Sequence, residues 1–157
     1  MKNASVALLL LLSTSPAIAQ TAPDAKVASF ETGSYGSRDR EAISFWKENG
    51  ERADIEYQYG SDDKTVKLAY LGAADCGGER CFKVGFPNKL VLYVTPGTDT
   101  VRLSDVADPM RGKPGKYDRT LAWRYEGPVD GRGTFCSACA QDGKEATALL
   151  RQFFLKK

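Results

Sequence analysis

Apolar and polar side chains alternate along much of the chain between residues 27 and 105. A period of two is typical of β-strands that bury one face. In the segment 53–59, Ala53, Ile55, Tyr57 and Tyr59 share one face and polar residues occupy the other. The pattern recurs at 66–70, 82–86, 100–103 and 121–125, and segments rich in Gly, Pro, Asn or Asp separate the strands. Consecutive strands joined by short turns predict an antiparallel meander that curls into a barrel or a sandwich.

Two segments depart from this alternation. Residues 90–94 are apolar at every position, which predicts a strand covered on both faces. Residues 107–120 contain several prolines, glycines and cations, and we expect a long exposed basic loop there.

The C-terminal segment changes to the helical period. Ala146, Leu149, Leu150, Phe153 and Phe154 follow the spacing of one helix face, and this apolar stripe predicts a helix packed on the sheet. Asp142 with Glu145 three residues later fits a capping box. The predicted fold class is therefore α+β, mainly β, with an antiparallel curled sheet, barrel or sandwich and one C-terminal amphipathic helix.

The N-terminus has the order of a secretory signal. Lys2 precedes an apolar run at 6–12, and the small residues Ala17 and Ala19 fit a cleavage site. A membrane-spanning helix needs about 20 apolar residues, and this run is far shorter. We expect a signal peptide at 1–19, a single disulfide-stapled β-rich domain at 20–157, and a periplasmic or secreted location.

Charge and composition narrow the class of partner. The chain has 22 basic and 20 acidic residues, a nearly balanced surface that argues against a dedicated nucleic-acid binder. No segment after the signal is expected to insert into a membrane. The chain has no histidine, which removes the commonest general base and the usual nucleophile pairs of hydrolases. We expect no cofactor and no catalytic residue.

Four cysteines predict two disulfides in an exported chain: Cys76, Cys81, Cys136 and Cys139. Three connectivities are possible. In the chain-entropy model a bond within one pair contributes about 2 kcal/mol and a bond between the pairs about 4 kcal/mol. Local pairing is favoured nevertheless, because two glycines let Cys76 and Cys81 face each other across a tight turn.

The pair Cys136 and Cys139 allows two alternatives. A CxxC before a helix is similar in that respect to the thioredoxin motif, and implies a thiol-disulfide oxidoreductase. Four thiolates could also hold zinc, although an oxidising compartment disfavours this. A structural staple between the helix and the preceding segment is the favoured interpretation.

The loop closed by Cys76 and Cys81 carries Glu79 and Arg80 on a rigid turn. In outline these six residues are similar to the cysteine-closed loop with which Ivy-type lysozyme inhibitors plug an enzyme cleft. The histidine of that loop has no counterpart here, and the similarity does not extend to the rest of the chain.

Together these features indicate an exported non-catalytic binding protein, such as an inhibitor or immunity-type partner of a cell-envelope enzyme. The expected contact residues are Glu79, Arg80, Arg111, Lys113 and Arg132. The alternatives are the oxidoreductase and a small barrel binding an apolar ligand, because a barrel with a cavity would line it with the aromatic residues of its strands.

Overall fold

Eight antiparallel strands form a closed barrel in the computed structural model. The structure describes residues 26–34, 36–47, 53–61, 64–108, 115–124 and 139–156. The strands are β1 (Lys26–Thr32), β2 (Glu41–Lys47), β3 (Asp54–Tyr59), β4 (Lys64–Cys76), β5 (Glu79–Gly85), β6 (Val91–Pro96), β7 (Thr100–Ser104) and β8 (Asp118–Arg124), followed by the helix α1 (Gly143–Phe154). The predicted signal at 1–19 lies outside the described residues.

Closure of the barrel depends on β1, which pairs with both β2 and β8. Phe30 lies opposite Ile43 on one side and opposite Trp123 on the other. Every other strand pairs with its neighbours in the chain, so the sheet is a simple meander without crossovers. The predicted fold class is confirmed, and of the three shapes left open the barrel is the one formed.

The helix α1 closes one end of this barrel, and it forms as the sequence predicts. The Asp142 carboxylate accepts a hydrogen bond from the Glu145 amide at 2.8 Å, which caps the first turn. Ala146, Leu150 and Phe154 on the predicted stripe are all buried. The Arg151 guanidinium donates to the carbonyls of Pro96 and Gly97 at 2.8 Å each, which ties α1 to the β6–β7 turn.

Aromatic rings fill the barrel interior beside the helix. Phe154 stacks on Phe82 with ring centroids 4.5 Å apart and meets Phe45 edge-on at 5.6 Å. The Tyr70 hydroxyl donates to the Phe154 carbonyl at 2.8 Å, which fixes the end of the helix to β4. This end of the barrel is therefore a packed core.

Two sequence predictions are wrong in detail. The segment 90–94 is not covered on both faces: Leu92 and Val94 are buried, but Tyr93 is only half-buried and Leu90 is exposed. A single barrel has one interior, so an antiparallel strand buries alternate residues even when all of them are apolar. The predicted basic loop also ends earlier than expected, because β8 already begins at Asp118.

Within the described ranges, no helix has the length and apolar character needed to cross a membrane.

Candidate functional site

The end of the barrel away from α1 contains a cavity of about 460 Å³. We call this end the mouth; the β1–β2, β3–β4 and β5–β6 connections lie there, together with Tyr117 at the end of the β7–β8 connection. Small-molecule sites usually measure about 300–1,000 Å³, so the cavity is large enough for one small ligand. Its lining residues are Arg38, Arg40, Glu41, Tyr57, Tyr59, Val66, Phe86, Pro87, Asn88, Leu90, Leu92 and Tyr117.

The register of the strands explains why these side chains share the cavity. Ile43 on β2 lies opposite Tyr57 on β3, and Tyr57 lies opposite Val66 on β4. Since alternate residues of a strand point to one face, Glu41 lies on the same inward face as Ile43. The charged residue Glu41 therefore lies two positions before the buried Ile43, at the level of the barrel where the aromatic packing ends.

Three aromatic residues form the apolar wall of the cavity. Tyr57 and Tyr59 are stacked with ring centroids 6.1 Å apart, and Phe86 meets Tyr57 edge-on at 5.1 Å. Tyr57 is buried, whereas Tyr59 is 44% exposed at the rim. The wall therefore runs from the core to the surface and offers ring faces and edges to a ligand.

A chain of hydrogen bonds crosses the cavity wall. The Tyr117 hydroxyl donates to Oε2 of Glu41, and the hydroxyl oxygens of Tyr57 and Tyr117 are 3.3 Å apart. Arg119 Nε lies 3.9 Å from the other Glu41 oxygen, Oε1. The carboxylate at the end of the chain is therefore both hydrogen-bonded and paired with a cation.

Burial raises the pKa of both tyrosines at this site. The pKa of Tyr57 rises to about 12, chiefly because its hydroxyl is desolvated, and the negative charge of Glu41 adds to the shift. The pKa of Tyr117 is raised further, again first by desolvation and then by its hydrogen bond to Glu41. Both hydroxyls therefore keep their protons at neutral pH and act as hydrogen-bonding groups, not as bases.

A second polar cluster supports the mouth from the β1 side. Arg40 and Arg124 converge on the same carboxylate oxygen of Glu31, with N···O distances of 3.3 and 2.6 Å. The Arg40 side chain is only 4% exposed. A buried arginine held in this way fixes the segment that leads into Glu41 and keeps that side of the cavity in place.

The predicted contact residues Glu79 and Arg80 lie at the other end of the barrel. Cys76 and Cys81 form a disulfide, as predicted, with their Cα atoms 5.8 Å apart. Gly77 and Gly78 both have positive φ, 72° and 95°, which suits the two-residue turn between β4 and β5. Glu79 and Arg80 are exposed just after this turn, on opposite faces of β5 because they are consecutive.

The cysteine-closed turn contacts the start of the β7–β8 connection. The point where a Cβ of residue 77 would stand is 3.0 Å from Cγ of Asp108. Arg111 and Lys113, which belong to the same connection, lie outside the described residues, as does Arg132. The structure therefore brings the turn beside the first residues of that connection and leaves the predicted five-residue surface untested.

The second cysteine pair is described at Cys139 only. Cys139 is disulfide-bonded and 6% exposed, and the predicted partner Cys136 lies outside the described residues. The backbone of Cys139 pairs with that of Val27 in an isolated parallel β-bridge, and the Ala140 amide donates to the Val27 carbonyl at 2.8 Å. This cysteine is therefore attached to the first strand of the barrel. Among the described residues, no group of three or more His, Cys, Asp or Glu side chains is arranged to hold a metal ion.

Sequence reasoning identified Tyr57, Tyr59 and Phe86 as possible cavity residues but missed Glu41 and Tyr117. Glu41 carried a usable signal, because it is in phase with the inward residues Ile43 and Phe45. Tyr117 carried none, since it lies in the segment read as a basic loop.

Searches of protein-family models, curated proteins and solved structures find no significant match to this chain.

Proposed function

We propose that this protein is an extracytoplasmic binding protein that holds a small, largely apolar molecule in the mouth of its barrel. The observation that carries the proposal is the cavity of about 460 Å³ at that end. Eight-stranded barrels are about the size at which the interior is either filled by side chains or holds one small ligand. Here Phe45, Phe82 and Phe154 fill one end, and the packing stops at Tyr57.

The composition of the cavity favours an apolar ligand with a few directed polar contacts. Tyr59, Val66, Phe86, Leu90 and Leu92 supply carbon surface, and a small set of polar groups is placed among them. This combination is typical of small-molecule sites, in which apolar contacts supply affinity and polar groups fix orientation. Since the strands and the Glu31 cluster already hold the walls, little order has to be gained on binding.

Binding accounts for the site better than catalysis does. The chain contains no histidine. The two tyrosines of the cavity have raised pKa values, so both hydroxyls stay protonated near neutral pH and neither supplies a general base. The predicted signal and the Cys76–Cys81 disulfide support an extracytoplasmic location, periplasmic or secreted.

Fluorescence titration with N-phenyl-1-naphthylamine, a neutral apolar dye, tests the proposal. We expect saturable binding with one dye per chain. Val66→Trp should fill the cavity and abolish binding, whereas Lys67→Trp, on the opposite face of the same strand, should leave it unchanged. Equal binding by both folded variants would place the dye elsewhere and refute the site.

A second candidate function is the binding of an envelope protein through the cysteine-closed turn. The observation in its favour is that a disulfide and a turn of two glycines hold Glu79 and Arg80 exposed at the start of β5. Such rigidity reduces the entropy lost on association. Capture of a partner from envelope extract should then be lost in Arg80→Ala and retained in Lys89→Ala, an exposed cation at the mouth. Retention in both would remove this candidate.

A further inference from the structure

The hydrogen bonds at the mouth have a direction, and that direction is set by Glu41. A carboxylate has no proton to donate, so the hydroxyl of Tyr117 must be the donor in the Tyr117–Glu41 bond. A phenolic hydroxyl has one proton. Tyr117 has therefore used its proton and faces Tyr57 with an oxygen lone pair only.

The proton of Tyr57 is committed in turn. Since Tyr117 has only lone pairs left, the contact of 3.3 Å between the two hydroxyls is a hydrogen bond only if Tyr57 donates. Tyr57 then retains acceptor capacity alone. Its hydroxyl belongs to a residue that lines the cavity and is 7% exposed.

We infer that the ligand is a flat, mainly apolar molecule that donates an O–H or N–H hydrogen bond to the Tyr57 oxygen. The inference rests on the proposed function and specifies its ligand class. A donor on the ligand extends the chain to Tyr57, Tyr117 and Glu41, so that every bond points toward the carboxylate and each polarises the next. A ligand with only an acceptor would place two lone pairs against each other, which is unfavourable in a buried site.

The aromatic wall sets the shape of this ligand. Tyr59 stacks beside Tyr57, and Phe86 approaches Tyr57 edge-on, so these contacting rings bound one side of the cavity with ring faces and edges. A planar ring system fits such a space better than a branched aliphatic body does. Phenols, indoles and similar hydroxylated or N–H-bearing rings are the chemical class that meets both conditions.

Matched naphthalenes test the direction of the chain. 2-Naphthol carries a donor, and 2-fluoronaphthalene has a similar shape without one. Calorimetric titration of wild type and Tyr57→Phe with both compounds forms a double-mutant cycle that cancels differences in their hydrophobicity. We expect Tyr57→Phe to weaken 2-naphthol by about tenfold and 2-fluoronaphthalene by less than about twofold.

Glu41→Gln gives a readout that a purely structural role would not produce. The glutamine amide can donate as well as accept, so the chain can run in either direction. The acceptor-only compound 2-naphthonitrile should therefore gain affinity in Glu41→Gln over wild type, while 2-naphthol loses part of its advantage. If Tyr57→Phe weakens donor and non-donor compounds equally, or if the nitrile gains nothing, the inference is wrong and the proposed cavity stands. If no naphthalene binds wild type, both the inference and the proposed function are wrong.

Discussion

The Tyr117 hydroxyl donates a hydrogen bond to the Glu41 carboxylate within the mouth of the barrel. The two residues are 76 positions apart in the chain, and the bond joins the segment before β8 to the first residue of β2. It therefore fastens the end of the β7–β8 connection to the cavity wall, in addition to setting the direction of the hydrogen-bond chain.

Loss of this bond should destabilise the fold measurably. Tyr117→Phe leaves the partly buried Glu41 without its hydroxyl donor, and we expect the free energy of unfolding to fall by about 1–3 kcal/mol. Urea denaturation followed by circular dichroism measures the change. The matched control is Tyr93→Phe, because the Tyr93 hydroxyl has no hydrogen-bond partner among the described residues. Equal stabilities for the two variants would show that the bond contributes nothing.

Alkaline pH should reveal the raised pKa of Tyr57. A folded-state pKa of about 12 means that the folded protein keeps a proton which the unfolded chain loses near pH 10. The contribution is complete below pH 10 and is lost as the pH rises toward 12, so stability should decline across that interval. Absorbance at 295 nm should show Tyr57 ionising after the exposed tyrosines. The late component should shrink in Tyr57→Phe; an unchanged titration curve would contradict the assignment.

Removal of the Phe154 ring should lower the stability of the barrel end that α1 closes. Phe154→Ala takes away the ring that stacks on Phe82, and large-to-small substitutions of this kind cost about 3–5 kcal/mol. Gln152→Ala, on the exposed side of α1, is the control and should change stability by less than about 0.5 kcal/mol. Thermal denaturation of both variants measures the difference, and a Phe154→Ala protein as stable as the control would mean that α1 is not docked.

The cysteines should act as staples. Titration of the denatured, unreduced protein is expected to find no free thiol. Cys139 is buried, so we also expect no insulin-reductase activity, since a catalytic disulfide has to be reached by another thiolate. Replacing both Cys76 and Cys81 by alanine should lower the free energy of unfolding by about 2 kcal/mol, the contribution of a short closed loop. Reactive thiols or turnover of insulin would overturn this interpretation.

The strands and the helix could be predicted because their signals are local. The alternation at Ile55 and Tyr57 and the stripe through Leu150 each depend on residues close in sequence, and the structure confirms both. Barrel closure could not be predicted, because it depends on the pairing of Phe30 with Trp123, 93 positions away.

The cavity was harder to predict than the strands around it. Phe82 and Phe86 have the same alternation and the same aromatic character, yet Phe82 lies under Phe154 and Phe86 lines the cavity. The two residues differ because α1 reaches Phe82 but not Phe86, and the pattern of the strand residues does not show how far the helix extends into the barrel. The sequence also drew attention to Glu79 and Arg80, since paired cysteines are easier to see than an inward glutamate.

The central claim is that the mouth of the barrel is the ligand site, and amide chemical-shift mapping with 2-naphthol tests it most directly. In ¹H–¹⁵N spectra of the full oxidised domain, we expect saturable shifts at Glu41, Tyr57, Phe86 and Leu92 and none at Glu79 or Arg80. Shifts centred on the cysteine-closed turn, or no saturable shift at the mouth, would contradict the account.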